Sequence, residues 1–335
     1  MIREAIGELA AGRDLSREAA AAAMQTIMDG EATPAQTAAF ITALAIKGET
    51  IGEITGCAEV MRAKATRVRA EEPLVDTCGT GGDKSGTFNI STASAIVTAG
   101  AGVRVAKHGN RAASSRSGSA DVLAELGVNL DAGVPAVERC IAEANIGFMF
   151  APKMHAAMKH AMPVRREIGI RTVFNILGPL TNPAGAHNQV LGVFSADMVE
   201  VMANVLKNLG SERVYVVHGA DGLDEITTCD DTLVAELRGG EVRTYRVKPE
   251  DFGMARCRRD DLTVGSARES AEVIHSVLRG ESGPARDIVL LNAGAAIAAV
   301  HVARDIAAGV EAAEASIDSG AATEALAKLV EISNA

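Results

Sequence analysis

Through residues 1–68 the apolar positions fall at helical spacing, and the pattern predicts helices alone. Ser16 stands before the run AAAAAMQTIM as an N-cap whose hydroxyl can accept a free backbone N–H. Thr33-Pro34 opens another helix, with proline at the first position, where a missing N–H costs little. Leu44, Ile46, Ile51, Ile54, Val60 and Met61 carry the periodicity onward. At Glu72-Pro73 the pattern changes to short apolar runs divided by glycine loops. PLVD reads as a strand, residues 77–87 as a loop, STASAIVTAGAG as a helix and VRVAK as the next strand. That order predicts a parallel sheet and an α/β fold class. Further strands are expected at 147–150, 189–194 and 213–219, with a helix through ADMVEVMANVLKNL. A β-rich stretch spans 226–247, and the Ala-rich chain from about 267 reads as helix. Residues 151–185 read as an irregular crossing that borders a cleft.

Composition narrows the class. The 335 residues are 47% hydrophobic but only 3% aromatic, so a sizeable core must be built from Ala, Val, Ile, Leu and Met. A net charge of -10 opposes a general nucleic-acid binder, which needs basic surface against phosphates. The five cysteines are odd in number, widely spaced and lack a C-x-x-C pair, which argues against a disulfide framework or structural zinc. No 18-residue apolar span and no secretory pattern occur, so a soluble, cytoplasmic protein with no membrane partner is expected.

Two loops carry the candidate chemistry. In DTCGTGGDKSGTFNIST, Gly79, Gly81, Gly82 and Gly86 lie within eight residues after a strand. Successive free N–H groups in such a loop form an anion-binding concavity. Asn89, Ser91 and Thr92 stand where the next helix begins, a second phosphate-binding position. The motif is neither a P-loop, since Asp83 precedes Lys84, nor a dinucleotide fingerprint, whose sixth position needs glycine and is Lys84 here. The second loop, KHGNRAASSRSGS (107–119), brings three cationic side chains, one His and four serines into thirteen residues. Lys and Arg neutralise a polyanion while hydroxyls and N–H groups hold its oxygens. Ser117 or Ser119 is the expected cap of the helix that follows.

Past the strand RVYVVHG comes an acidic pair, Asp224-Glu225. Ligands of open α/β sheets bind at that end of the strands. Magnesium is held by one or two carboxylates plus substrate phosphates and water. Two phosphate loops and this pair together imply a phosphorylated, diphosphate-bearing substrate.

The stretches DTCGTGGDKSGTFNISTASA (76–95), VAKHGNRAASSRSGSADVLAELG (105–127), MPVRREIGIRTVFNILGPLTNP (162–183) and DGLDEIT (221–227) closely resemble the anthranilate phosphoribosyltransferase family, in order and spacing. The resemblance implies a helical domain over 1–70, joined by helices from about 162–185, and an α/β domain over 71–335 with a mostly parallel central sheet. It implies transfer of a phosphoribosyl group from phosphoribosyl diphosphate to anthranilate, with two Mg2+ ions per monomer, in a homodimer formed through the helical domain. For phosphoribosyl diphosphate it points to Gly79, Gly82, Asp83, Thr87, Asn89, Ile90, Ser91, Thr92, Lys107, His108, Gly109, Asn110, Arg111, Ala112, Ala113, Ser114, Ser115 and Ser119. For anthranilate it points to Gly79, Asn110 and Arg165, and for the metal to Ser91, Asp224 and Glu225. Ala112 and Ala113 stand where a serine would be accepted, leaving one fewer side-chain donor. A pyrimidine nucleoside phosphorylase and a non-catalytic nucleic-acid-binding relative share the fold; the acidic pair and the SRSGSADVLAELG wording favour the transferase.

Overall fold

The computed structural model describes residues 1–83, 85–112 and 118–335. Four helices come first: α1 (Ile2–Ala10), α2 (Arg17–Met28), α3 (Pro34–Lys47) and α4 (Ile51–Lys64). Their starts follow from sequence. Ser16 accepts from the Ala19 N–H, while Thr33 with Gln36 and Thr50 with Glu53 form reciprocal capping boxes. The Arg62 guanidinium on α4 donates to the carbonyls of Leu180 (2.6 Å) and Leu209 (3.0 Å), tying the helices to distant chain.

Strand and helix then alternate: β1 (Leu74–Gly79), α5 (Ile90–Gly100), β2 (Arg104–Gly109), α6 (Ser119–Glu125), α7 (Val134–Ala144) and β3 (Ile146–Phe150). The crossing 151–185 is a series of short helices rather than irregular chain: α8 (Ala151–Met154), α9 (Met162–Ile168) and α10 (Phe174–Leu177), with 3-10 turns between and after them. Prolines at 152, 163 and 179 sit at first-turn positions, so each run starts readily but stays brief. Next come β4 (Asn188–Gly192), α11 (Asp197–Asn208), β5 (Arg213–Gly219), β6 (Thr232–Arg238) and β7 (Glu241–Val247). The chain closes with α12 (Ala267–Leu278), α13 (Pro284–Ala299), α14 (Ile306–Asp318) and α15 (Ala321–Asn334).

The seven strands form one sheet in the order β3-β2-β1-β4-β5-β6-β7. The first five are parallel, and β6 and β7 add antiparallel. Strand order reverses between β1 and β4, the switch point at which such sheets open a crevice. Both faces are buried by alternating residues. On β5, Tyr215 and Val217 join a core with α5 and α12–α15, whereas Val214 and Val216 face a core shared with α11 and α1–α4. Ala161, Val164, Phe174, Leu177 and Leu180 belong to that second core, so the crossing cements the helical start to one sheet face.

Three expectations need correcting. β1 runs on through Thr77, Cys78 and Gly79, because Gly79 pairs with Gly192 of β4, so the glycine loop starts later than residue 77. The cap of α6 is Gly118, not a serine; Ser119 is already helical, and Asp121 satisfies the Gly118 N–H at 3.0 Å. Residues 226–231 are turn, and the β-rich stretch begins at Thr232.

Candidate active site

The ends of β1, β2 and β4 and the turn after β5 converge at the switch point. Gly79 and Gly192 are register partners there, and the backbone of Asp224 lies on them. A Cβ on Gly79 would overlap the Asp224 carboxylate, and one on Gly192 would overlap its carbonyl. Glycine is therefore required at Gly192 by backbone approach, while a side chain at Gly79 would displace the Asp224 carboxylate. The Gly81 N–H donates to the Asp224 carboxylate at 2.8 Å, linking the glycine loop to the acidic pair.

Three carboxylates meet here. Burial, with Asp83 close by, pushes the Asp224 carboxyl up to about 7. Burial, then the charges of Asp224 and Asp83, pushes Glu225 well above the usual carboxylate range, against the charge of Lys107 and a hydrogen bond from the Ser91 backbone. Like charges desolvated together resist ionisation, so the cluster favours a cation. The Lys107 ammonium is buried and held by the Thr77 carbonyl at 2.6 Å and the Ser91 hydroxyl at 3.2 Å. Burial lowers its pKa, opposed by the charges of Asp76 and Glu225.

Asn89 caps α5 by accepting from the Thr92 N–H at 3.0 Å, and its own N–H donates to Ser270 at 2.8 Å. The Thr92 hydroxyl, in the first turn of α5, is buried with no hydrogen-bond partner among the described residues. Thr87 contacts Ser85 and bridges to Thr263. Ile90 is buried in the core, so only its backbone is available. His108 turns its ring from the cleft: its Nε2 lies 3.2 Å from Nε2 of His155, and burial pushes the two imidazoles down to about 3 and about 4. Its backbone N–H donates to Asp76 at 3.2 Å.

Gly109, Asn110, Arg111 and Ala112 form the limb rising from β2. The Asn110 side chain accepts from the Arg111 N–H at 2.7 Å, and Ser119 packs beside Gly109. Asp121 joins the limb to the returning chain: it accepts from Ala112 and Gly118 N–H groups, both at 3.0 Å, and from Arg111 at 2.8 Å. Ala113, Ser114 and Ser115 lie outside the described residues. Arg165, on α9, stacks over the Phe174 ring at 5.1 Å and touches the Met162 sulfur at 3.5 Å. It is half-buried, and no carboxylate among the described residues lies within ion-pair range of it.

Residues not singled out in the sequence hold this arrangement. Arg171 stacks over Phe194 at 4.3 Å and donates to the Gly82 carbonyl at 2.6 Å, fastening the glycine loop. Asp76 is gripped by Asn182 at 2.7 Å, and burial pushes its carboxyl up to about 6. Nothing local in the sequence marks these residues, because each partner is remote along the chain.

Residues 3–65 match the family model described as glycosyl transferase family, helical bundle domain, and residues 71–323 match glycosyl transferase family, a/b domain. An anthranilate phosphoribosyltransferase of Acetivibrio thermocellus is 55% identical over 335 residues, covering 100% of this chain and 97% of its own. The crystal structure of an anthranilate phosphoribosyltransferase from Thermus thermophilus superposes with a TM-score of 0.94 at 43% identity, covering 99% of both chains. The enzyme from Saccharomyces cerevisiae, in complex with phosphoribosyl diphosphate and Mg, gives a TM-score of 0.90 at 26% identity, covering 99% of this chain and 98% of that one.

Proposed function

The chain belongs to the glycosyl transferase family and within it to the anthranilate phosphoribosyltransferases, and from that premise we propose how its cleft works. The activity is transfer of the phosphoribosyl group from phosphoribosyl diphosphate to the amine of anthranilate, with Mg2+. The observation that carries the site reading is the meeting of Asp224, Glu225 and Asp83 with the glycine loop and the α5 N-terminus at the switch point.

The donor set suits the ion: carboxylates and a hydroxyl, all hard oxygens, whose mutual repulsion a divalent cation relieves. Asp224, Glu225 and Ser91 would hold it, and we take the number to be two. Substrate phosphates and water would complete the shell. Bound Mg2+ supplies positive charge against the leaving diphosphate.

The chain's own residues do the rest. The backbone of the glycine loop, with the Asn89–Thr92 turn, takes the phosphate oxygens. Lys107 fixes Ser91 and Thr77 and adds a buried positive charge. The limb 109–112 with Ser119 closes over the donor. Arg165, which has no acidic partner among the described residues, takes the anthranilate carboxylate as a two-pronged donor, beside Gly79 and Asn110. The aromatic amine is neutral at pH 7, so it needs alignment rather than a base. Its N–C1 bond forms with inversion as the C1–O bond to diphosphate breaks, and the nitrogen then gives its extra proton to water or the released diphosphate. Alignment of this kind supplies several kcal/mol.

We further place the helical unit at 1–70 with 162–185, the α/β unit at 71–335, and a homodimer in the cytoplasm. The exposed apolar side chains Ile46, on α3, and Ile170, just past α9, support pairing through the helical half. No described helix is long and apolar enough to cross a membrane. The direct test is decay of anthranilate fluorescence with phosphoribosyl diphosphate, with and without Mg2+. Decay only with all components supports the reading; none in any mixture, from folded protein, contradicts it.

A further inference from the structure

The buried run of α13 from Ile288 to Ala299 is apolar at every position except Asn292, which is 2% exposed. A carboxamide placed among Leu, Ile, Val and Ala must find partners, or its desolvation goes uncompensated. Its partners are specific. Oδ1 accepts from the Ile226 N–H at 2.9 Å, and Nδ2 donates to the Ile226 carbonyl at 2.9 Å and to the Ile288 carbonyl at 2.8 Å. One side chain thus fixes the peptide planes on both sides of Ile226. The first of those planes begins at Glu225.

Asp224 is itself held by the Gly81 N–H at 2.8 Å and packs on Gly192, and the limbs of the turn are tied where the Gly219 N–H donates to the Leu223 carbonyl at 2.9 Å and the Thr227 hydroxyl to Asp221 at 2.9 Å; none of these reaches the peptide that follows Glu225. Asp224 and Glu225 sit between them, with Asp83 opposing both electrostatically. Asn292 anchors the turn just past Glu225 through both peptide groups of Ile226.

We propose that Asn292 is a positioning residue for the cation site: it holds the Asp224–Glu225 turn in its metal-accepting form before metal arrives. The proposal rests on the metal reading given above. Residues that orient metal-binding groups without touching the ion change affinity by about 10–100-fold when removed.

The experiment titrates Mn2+ into protein with phosphoribosyl diphosphate and no anthranilate, read by water proton relaxation enhancement. Asn292→Ala should need about tenfold more Mn2+ or worse. Asn292→Asp, which keeps the acceptor but loses both donations, should also be weakened and serves if the alanine variant does not fold. Ile297→Ala, a buried apolar truncation on the same helix, should bind Mn2+ as the unmodified protein does even if its Tm falls as far. Unchanged Mn2+ affinity in the Asn292 variants, or an equal loss in Ile297→Ala, overturns the positioning role. Absence of enhancement with the unmodified protein instead overturns the metal assignment beneath it.

Discussion

Asp224 rests its backbone directly on Gly192: a methyl group built on that glycine would overlap the Asp224 carbonyl. The contact is backbone to backbone, so no rotamer change relieves it. Gly192→Ala must therefore lift the acidic turn away from the β1–β4 edge. The expected result is a fall in kcat of about tenfold or more, with raised Mg2+ demand, in protein that still shows the parent far-UV circular dichroism. Steady-state kinetics over a Mg2+ series checks it.

Arg165 is half-buried against Phe174 without an acidic partner among the described residues. If its guanidinium takes the acceptor's carboxylate, Arg165→Ala should raise the KM for anthranilate by about 10–100-fold, the range for hydrogen bonds to charged groups. The KM for phosphoribosyl diphosphate should move little. A change confined to the donor would contradict this role.

Much of this was legible along the chain, for local reasons. The capping turns at Ser16, Thr33 and Asn89 involve neighbours three residues away, so residue type alone marks them. The strand order of β1, α5 and β2 follows from the change of apolar period at Glu72-Pro73. The acidic pair was visible because it follows a strand closely. The supports were not. Asn292 meets Ile226 across 66 residues and Arg171 meets Gly82 across 89, distances at which periodicity carries nothing. Nor did spacing show that Cys229 and Cys257 come within 3.3 Å as free thiols.

Asp121 ties the Ala112 and Gly118 N–H groups together across the described ends of the second loop. Asp121→Ala should raise the KM for phosphoribosyl diphosphate by about tenfold, since two N–H groups lose a charged acceptor. The KM for anthranilate should hold. Initial rates with each substrate varied separately decide the matter.

The acidic cluster also sets a pH dependence. Asp224 titrates near 3.8 in an unfolded chain and at about 7 in the fold, so the folded state binds the extra proton. That contribution to stability is fully present below the unfolded value and is lost as pH rises through about 7. In metal-free protein, Asp224→Asn should therefore gain thermal stability relative to the parent between pH 5 and pH 8. Mg2+ with diphosphate should narrow the gap by stabilising the ionised parent. Thermal melts across that range test this; a gap that shrinks with rising pH without metal contradicts it.

The most direct test of the account is kcat for Asp224→Asn and Glu225→Gln at saturating Mg2+, measured by anthranilate fluorescence decay. Each substitution keeps the side chain's shape and removes one charge from the cation site. A loss of about 100-fold or more is expected in each, the scale of charge stabilisation at a leaving group. Near-parental turnover in both variants would contradict it.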